Sequence, residues 1–377
     1  MKIDRTKLKK SSSDVPADCK ALIDTLLASA GDNGANKVAF LKQLQSIETW
    51  TYGKCELFHW IDVLDLCDEV LESSTASTDT NSWVLSADAS VIDPHDGAAS
   101  RAKELLLWTL HFTTLLIEHS FSRHLYSSME HLTTLLASSD LDVILAVLNL
   151  LYMFSKRSNF ITRLAPEKQQ GLLNRLTHLA ASWGGKDNGF GLSKCCSNDP
   201  IQTFPESATT LHFEFYAETP GKKNLSSAAV TIIHLEHVDK IPESPAKIME
   251  GLLREYQVPE DKQMLLFTYL RLAASFSDYG KRLKCVQSRL QALSVLIYSN
   301  QLTDNIQSLL YSGLLEELVE LLEMKGEHLM EIKAAALKAL TSIIHLDRSP
   351  NIPKLNAIID VTGRQRVCFS SFIFDNT

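Results

Sequence analysis

The segment LDVILAVLNLLYMF (141–154) determines the fold class, because its apolar residues cover almost every face of a helix. Asp140 stands directly before it, and an aspartate at that position can accept hydrogen bonds from the N–H groups of a first helical turn. A helix that is apolar nearly all round must be covered from several sides, as the inner helix of a stacked repeat is. We therefore predict a helix over 140–156 that is enclosed by neighbouring helices.

Apolar residues at helical spacing extend to both sides of this segment. The predicted helical segments lie within 18–44, 56–71, 101–119, 122–137, 166–183, 245–256, 260–276, 279–299, 302–312, 314–324 and 327–347. Two segments alternate apolar and polar residues instead, ATTLHFEFYA (208–217) and VTIIHLEHV (230–238). They predict a small β-hairpin inserted near 208–238, and the residues at 192–207 are expected to be irregular.

A repeated pattern links two distant parts of the chain, 131–154 and 317–346. Each part contains a short helix that ends in a Leu-Leu pair, then a polar turn, then a long helix with alanine at close-packing positions. If the second turn is about three residues longer, the leucines of the long helices align, Leu148 with Leu337 and Leu151 with Leu340. This pattern resembles the last two helices of an armadillo repeat. The predicted fold class is all-α, an armadillo-like α-solenoid; the alternative is an ordinary helical bundle with chance similarity.

Composition excludes several functional classes. The net charge of −8 argues against a general nucleic-acid-binding surface, and no specific nucleic acid is predicted as a partner. The longest apolar stretches, 105–117 and 143–154, are too short to span a bilayer. The seven cysteines are scattered and none forms a C-x-x-C pair, which favours free thiols in a reducing compartment.

No residue pattern predicts catalysis, a cofactor or a metal. The glycine-rich GGKDNGFG (184–191) lacks the order of a phosphate-binding loop, and Cys55 with His59 lacks two further metal ligands. The other candidates are the adjacent pair Cys195-Cys196 and a loose histidine group, His111, His119, His124 and His131. We interpret these as structural residues, and the basic runs at 7–10, 156–157 and 281–284 as solvated faces. The first run also fits a weak nuclear localisation signal.

The predicted domain organisation follows these patterns. It consists of a flexible N-terminal arm (1–17), N-terminal helices (18–71), a polar loop (72–100), the solenoid with its hairpin insert (101–363) and a divergent tail (364–377). A solenoid that stops within its array exposes an apolar face unless it is capped. Because RQRVCFSSFIFDNT (364–377) supplies no polar cap, we expect the tail to be non-native or truncated.

Several long strings carry a resemblance to a known family. They include MKIDRTKLKK (1–10), GKCELFHWIDVLD (53–65), IEHSFSRHLYSSMEHLTTLLASSD (117–140) and MEIKAAALKALTSIIHL (330–346). Together they resemble the extreme N terminus of the giant HECT, UBA and WWE domain-containing E3 ubiquitin ligases, the Mule family. The resemblance runs from Met1 to about residue 363, and it is specific because the strings are long and collinear.

The resemblance implies an armadillo-like segment of unknown function, the first part of a ring-shaped solenoid that frames substrates. In that family a cysteine of a distant HECT domain carries out ubiquitin transfer, and nothing in this chain resembles that domain. The resemblance therefore implies a non-enzymatic scaffold whose partners are protein substrates and the rest of the solenoid, located in the cytoplasm and the nucleus. The alternative is a free-standing armadillo-type adaptor or transport factor that binds peptides. Regular tryptophan-asparagine ladders would favour it, but Asn149 has no regular partners and Trp108 lies on another helix.

Overall fold

The computed structural model of the chain describes residues 17–30, 37–46, 57–75, 97–119, 130–136, 138, 140–181, 185, 191–199, 211–217, 229–235, 264–269, 279–299 and 313–346. Most of these residues are helical, which confirms the helical part of the prediction. The chain divides into two compact units. The first contains the helices up to Arg175 and most of the three strands; the second contains the described helices from Leu176 onward.

The first unit is built from helices that are joined by short turns or by segments outside the described residues. In chain order its helices are α1 (Ala17–Ala30), α2 (Lys37–Ser46), α3 (Ile61–Thr75), α4 (Gly97–His119), α5 (Glu130–Leu135), α6 (Leu141–Arg157) and the first part of α7 (Pro166–Ala181). Turns of 3-10 helix precede α3 at Leu57–Trp60 and follow α6 at Ile161–Arg163.

The strands form one three-stranded sheet. They are β1 (Leu211–Ala217), β2 (Ala229–Leu235) and β3 (Met264–Tyr269), in the spatial order β2-β1-β3. β1 and β3 pair antiparallel, from His212 opposite Tyr269 to Ala217 opposite Met264. Strands β1 and β2 thus lie where the hairpin was predicted, but the sheet has a third strand where the sequence predicted a helix over 260–276.

The described residues of the second unit form four further helices. They are α8 (Leu192–Cys196), α9 (Tyr279–Tyr298), α10 (Leu314–Glu323) and α11 (Met330–Leu346), with a 3-10 turn at Glu327–Leu329 before α11. The helix α8 corrects the expectation of irregular structure at 192–207. The helices predicted at 245–256 and 302–312 lie outside the described residues, while α9, α10 and α11 begin and end within about three residues of their predicted limits.

Helices α1 to α4 of the first unit share one apolar core. Its most buried members include Leu26 of α1, Leu44 of α2 and Leu64 of α3, each exposed by 2% or less. Trp60 of the 3-10 turn packs edge-on against Phe112 of α4, with the ring centroids 6.1 Å apart. A large, buried aromatic pair of this kind fixes the orientation of α3 on α4.

Helices α4 and α6 run parallel, as contacts at both of their ends establish. At one end, Lys103 of α4 lies 2.5 Å from the carboxylate of Asp140, the residue before α6. At the other end, Arg157 of α6 donates a hydrogen bond to the backbone carbonyl of Glu118 in α4. The two contacts span similar lengths of helix, about 22 to 26 Å at 1.5 Å per residue. Because α4 and α6 point the same way, the short helix α5 between them lies on the return path of the chain.

Helix α6 is enclosed, as its sequence predicts. Its buried residues run from Val143 to Ser155, and Val143, Val147, Leu148, Leu150, Leu151 and Phe154 have no measurable exposure. Among the described elements, α4 and α5 contact it. The segment is a largely buried helix; it is neither part of a sheet nor open to solvent. The structure therefore agrees with the predicted helix.

The second unit repeats this arrangement with α9, α10 and α11. Residues of all three helices meet in one core cluster, with Leu290, Leu318 and Leu340 each exposed by 1% or less. The rings of Tyr298 and His345, in the last turns of α9 and α11, stack with centroids 4.5 Å apart and an interplanar angle of 4°. Since α9 and α11 contact each other extensively and their C-terminal ends meet, they also run parallel. We call each set of two parallel long helices and the short helix between them a long–short–long motif.

Buried hydroxyl groups interrupt the apolar faces of the long helices at little energetic cost. In α4, Thr113 and Thr114 donate to the carbonyls of Thr109 and Leu110, both at 2.8 Å. In α9, Ser294 donates to the carbonyl of Leu290 at 2.7 Å. A buried hydroxyl that is hydrogen-bonded within its own helix avoids the free-energy cost of an unsatisfied donor. No helix among the described residues is long and apolar enough to cross a membrane.

The loop prediction at 72–100 was too wide at both ends. Helix α3 continues to Thr75 and α4 begins at Gly97. Serine and threonine disfavour a helix interior, but Ser73 and Ser74 in the last turn of α3 donate to the carbonyl of Val70 at 2.9 and 2.8 Å. Residues 76–96 lie outside the described part of the chain.

Candidate functional site

Charged side chains are concentrated at the helix ends of the first long–short–long motif. Asp140 caps α6, and its Oδ1 accepts from the N–H groups of Asp142 at 2.9 Å and Val143 at 3.4 Å. The other carboxylate oxygen faces the ammonium of Lys103 at 2.5 Å, and Lys103 also reaches Asp142 at 3.2 Å. The predicted cap is thereby confirmed, and it also anchors α4.

The ion pair around Lys103 leaves a signature in its pKa. Burial alone lowers the pKa of Lys103, but the hydrogen bonds and negative charges of Asp140 and Asp142 outweigh it and raise the pKa above its ordinary value. A lysine with a raised pKa stays protonated at neutral pH and cannot act as a base or nucleophile. This arrangement fastens α4 to the start of α6.

Helix α8 of the second unit is held by a second charged arrangement, which we call the α8 clamp. At its N-terminal end, Oε2 of Glu317 accepts from the N–H of Leu192 at 3.2 Å. At its C-terminal end, Arg282 donates to the carbonyls of Cys195 at 2.8 Å and Ser197 at 2.5 Å. An acidic group at the start and a basic group at the end are the charges that a helix dipole favours.

Two further hydrogen bonds complete the α8 clamp. The hydroxyl of Tyr279 donates to the carbonyl of Cys196 at 3.2 Å, and Ser193 donates to Glu320 at 3.2 Å. The guanidinium of Arg282 also lies over the ring of Tyr279, 5.3 Å from its centroid. Helices α9 and α10 therefore both contribute to holding α8.

The sequence interpretation of the run at 281–284 was wrong for Arg282. Lys281 is exposed as expected, but Arg282 is only 4% exposed. Its guanidinium can be buried because backbone carbonyls at the end of α8 accept its hydrogen bonds. The basic run at 156–157 is exposed, as predicted, and the run at 7–10 lies outside the described residues.

The adjacent Cys195 and Cys196 of the second unit are unsuited to nucleophilic or metal chemistry while they are buried. Cys195 and Cys196 are exposed by 0% and 1%. Burial raises the pKa of Cys195 to about 11 and that of Cys196 to about 12, so both are protonated thiols at neutral pH. The pair that the sequence singled out is therefore part of the core beneath the α8 clamp.

The other cysteines within the described residues, Cys19, Cys67 and Cys285, are also buried. Burial raises the pKa of Cys67 to about 12, although a hydrogen bond with Thr113 acts in the opposite direction. Cys67 and Cys285 lie outside any disulfide. Cys19 is disulfide-bonded, so the expectation of free thiols was wrong for this residue.

The predicted histidine group is only partly within the described residues. His111 packs edge-on against Trp108, with centroids 5.8 Å apart, and burial lowers its pKa. Nδ1 of His131 lies 3.1 Å from the hydroxyl of Thr75, and burial lowers its pKa too, against an opposing effect of Glu72. The side chains of His119 and His124 lie outside the described part, as does Cys55, while His59 is half-buried in the turn before α3. Among the described residues, no three potential ligands of the His, Cys, Asp and Glu types are grouped closely enough for a metal.

Comparison with protein families places this fold in context. The family model described as Domain of Unknown Function (DUF908) matches residues 101–229, from α4 to the first residue of β2. The mouse E3 ubiquitin-protein ligase HUWE1 is 55% identical over 368 residues, which is 96% of this chain and 8% of the ligase. The chain is homologous to the N-terminal region of HUWE1-type E3 ubiquitin ligases.

More distant ligases match the same chain. The E3 ubiquitin-protein ligase UPL1 of Arabidopsis thaliana is 27% identical over 93% of the chain and 9% of its own length. The ligase ptr1 of Schizosaccharomyces pombe is 27% identical over 67% of the chain. The chain thus spans about 8% of the curated relatives of HUWE1 type that it matches.

Sequence reasoning found the cap at Asp140 but missed the residues that fasten the helices to one another. Lys103, Arg282 and Glu317 each contact residues that are far away in the sequence. No local sequence pattern therefore indicates their roles. A weak signal does exist for Glu317: it stands beside Leu318 on the apolar face of α10, where a charge requires a buried partner.

Proposed function

We propose that the chain is a non-catalytic scaffold segment of a HECT-type E3 ubiquitin ligase, with the architecture of an armadillo-like α-solenoid. The single observation that carries the proposal is 55% identity to an E3 ligase over 96% of the chain. The segment contributes to the capture of protein substrates or to the framework that holds them. Its other partner is the rest of the ligase, and it works in the cytoplasm and the nucleus.

The long–short–long motif in each unit supports the solenoid. Stacking of repeats places equivalent helices side by side and parallel, with shorter helices on the return path. Helices α4 and α6 have this relation in the first unit, and α9 and α11 have it in the second. A bundle of up-and-down helices would instead place neighbouring long helices antiparallel.

The buried chemistry supports a scaffold rather than an enzyme. HECT-type transfer requires a cysteine thiolate that can accept ubiquitin, whereas burial raises the pKa of Cys67, Cys195 and Cys196 to about 11 or 12. The charged residues that fasten helix ends, such as Lys103 and Arg282, are engaged with a carboxylate or with backbone carbonyls. These features favour a rigid surface for holding other proteins.

A segment replacement in the mouse ligase tests the proposal. Deletion of the homologous region is expected to reduce ubiquitination of a subset of protein substrates, measured by mass spectrometry of ubiquitin remnants in cells. Insertion of this chain in its place is expected to restore them, while a Leu151→Asp version of the insert does not. If deletion leaves every substrate unchanged, the scaffold role is refuted.

A second experiment addresses catalysis directly. The purified chain is incubated with E1, E2, ubiquitin and ATP, and adducts that a thiol reductant can cleave are sought by gel and mass spectrometry. We expect none on this chain. A ubiquitin thioester on any of its cysteines would contradict the non-catalytic assignment.

A further inference from the structure

Helix α8 lies on the second unit with one face buried and the other in solvent. Leu192, Cys195 and Cys196 are exposed by 1% or less, whereas Lys194 is exposed and Ser193 is half-buried. Its apolar face joins the cluster formed by α9, α10 and α11. Helix α8 therefore covers part of that cluster in the manner of a strap.

The helical form of α8 depends on residues outside it. A helix of five residues has few backbone hydrogen bonds of its own; the N–H of Cys195 donates to the carbonyl of Gly191 at 3.0 Å, and that of Ser197 donates to Lys194 at 3.3 Å. Isolated helices of this length do not persist in water. The α8 clamp supplies the remaining partners, through Arg282 and Tyr279 of α9 and Glu317 and Glu320 of α10.

The helices beneath α8 also share contacts in which α8 takes no part. Leu290 of α9, Leu318 of α10 and Ala336 of α11 belong to this cluster, and α11 contacts both α9 and α10. Release of α8 breaks no backbone hydrogen bond inside α9, α10 or α11. Local opening that leaves the core intact requires a small element with a limited set of contacts to break, and α8 is five residues long and held by the five hydrogen bonds of the α8 clamp and one apolar face.

We propose that α8 opens independently of the helices it covers, and that in the open state the Cys195–Cys196 pair is a modification site for α,β-unsaturated carbonyl electrophiles. The thiolate sulphur forms a bond to the β-carbon as the carbon–carbon π bond breaks. The α-carbon then takes up a proton from water, in place of the proton that the thiol has released. The addition needs no oxidant or reductant.

The closed structure protects both thiols, because neither sulphur is exposed and burial keeps both protonated. In an open α8, the thiols meet water, where a cysteine has a pKa of about 8.5 and reacts as thiolate. The buried positions of Cys195 and Cys196 leave no room for an adduct on either sulphur. Modification therefore holds α8 open and uncovers part of the apolar cluster.

Thiol labelling of the full chain with N-ethylmaleimide, a reagent of this electrophile class, tests the proposal. Labelling rates are measured peptide by peptide by mass spectrometry. Cys285 is the internal standard, because it lies in α9 of the same unit, is 3% exposed and is not a member of the cluster beneath α8. We expect Cys195 and Cys196 to react at least tenfold faster than Cys285, with little dependence on low urea concentrations.

The opposite result is equally clear. If all three cysteines react at one rate, with the same steep dependence on urea, α8 opens only when the whole unit unfolds and the proposal is wrong. Cys67 of the first unit reports unfolding there and separates that event from unfolding of the second unit.

A variant of the α8 clamp sharpens the test. Arg282→Met removes two of the three hydrogen bonds that α9 donates at the C-terminal end of α8. We expect at least a tenfold faster reaction of Cys195 and Cys196 with no change at Cys285. Lys281→Met makes the same change of charge at an exposed neighbour and is expected to alter neither rate. Equal acceleration at Cys285 in Arg282→Met would show a general loss of stability and would contradict independent opening.

A milder variant covers the case in which Arg282→Met does not fold. Ser193→Ala removes only the hydrogen bond to Glu320. We expect a two- to fivefold faster reaction of Cys195 and Cys196, again without change at Cys285. An unchanged rate in this variant would show that the bond does not hold α8, which would count against the role of the clamp.

Discussion

The two long–short–long motifs have the same plan but are fastened in different ways. Helices α6 and α11 are both 17 residues long and both follow a short helix. In the first unit, Lys103 with Asp140 and Arg157 with Glu118 connect the long helices at both ends. In the second, residues of α9 and α11 meet in the apolar cluster, and Tyr298 stacks on His345. The plan is therefore set by apolar spacing, and the polar fastening is specific to each motif.

The two long helices also differ in how completely they are covered. A shift of 189 residues aligns the start of α6 with that of α11 and pairs Leu148 with Leu337 and Leu151 with Leu340. Leu151 and Leu340 are both buried, but Leu148 is fully buried while Leu337 is only partly so. The last turns diverge most, since Ser155 is buried and its counterpart Ile344 is 43% exposed.

The largest effect is expected from truncating the shared leucines. Leu151→Ala and Leu340→Ala should each reduce the free energy of unfolding by about 2 to 5 kcal/mol, because each leaves a cavity in a closed core. Leu148→Ala should cost as much as Leu151→Ala, whereas Leu337→Ala should cost clearly less. Urea denaturation followed by circular dichroism measures all four. Equal losses at Leu148 and Leu337 would remove the distinction between the two motifs.

The turns before α11 and α6 should lose stability for different reasons when a residue in them is replaced by alanine. Gly326, in the turn before α11, has φ of 157°, which side chains rarely adopt, and a Cβ there would meet Leu329 at 3.4 Å. We expect Gly326→Ala to lower the free energy of unfolding by about 1 to 3 kcal/mol. Gly171→Ala in α7 is the matched control, since a Cβ there meets nothing within 4 Å. That control should be neutral or stabilising by up to about 1 kcal/mol in thermal denaturation, because alanine favours a helix.

The turn before α6 depends on a side-chain cap instead. Asp140→Ala should cost about 1 to 2 kcal/mol, because it leaves the N–H groups of Asp142 and Val143 without their acceptor. Asp140→Asn keeps an oxygen for the cap but loses the charge that faces Lys103, so its loss of stability should be smaller. Chemical denaturation of both variants separates the two contributions, and equal losses would assign the whole effect to the ion pair.

Acid sensitivity should arise in the first unit through His111 and His131. Burial lowers the pKa of both in the folded state, so between that value and the unfolded value of about 6.5 the unfolded chain binds more protons. Stability is therefore lost as the pH falls through about 6.5. A His111→Gln/His131→Gln variant should lose less stability between about pH 7.5 and 5.5, where carboxylates stay ionised. Tryptophan fluorescence can follow this, since Trp60 and Trp108 lie in the same unit.

The smallest effect is expected at Ile344. Because this side chain is 43% exposed, Ile344→Ala should change the free energy of unfolding by no more than about 0.5 kcal/mol. The measurement is the midpoint of urea denaturation. A loss of 2 kcal/mol or more would mean that the last turn of α11 is as well covered as that of α6.

The sequence predicts those parts of the fold whose signals are local. Asp140 and the apolar run behind it located α6 to within a residue, and the leucine pattern located α9 to α11. The six residues Met264 to Tyr269 were misassigned because a short apolar run fits a helix or a strand equally well. Their pairing with β1, about 50 residues earlier in the chain, determines the outcome.

The misassignment of α8 has a related cause. Five residues with two cysteines give no helical periodicity, and the structure depends on Arg282 and Glu317, roughly 90 and 125 residues further along the chain. The run at 281–284 has three basic residues in four positions, which is typical of a solvated face, although only Lys281 is exposed. Only the three-dimensional position of α8 shows why one member of that run is buried.

The connection before α11 has a consequence for how the chain tolerates changes of length. Between the Leu-Leu pair and the long helix, the second motif has three more residues than the first, and Glu327–Leu329 form one 3-10 turn. Three residues make a full revolution of a 3-10 helix, so the added chain returns to the same direction. Insertion of three residues that extend this 3-10 turn would therefore leave the direction of the following helix unchanged and displace it by about 6 Å along the turn axis.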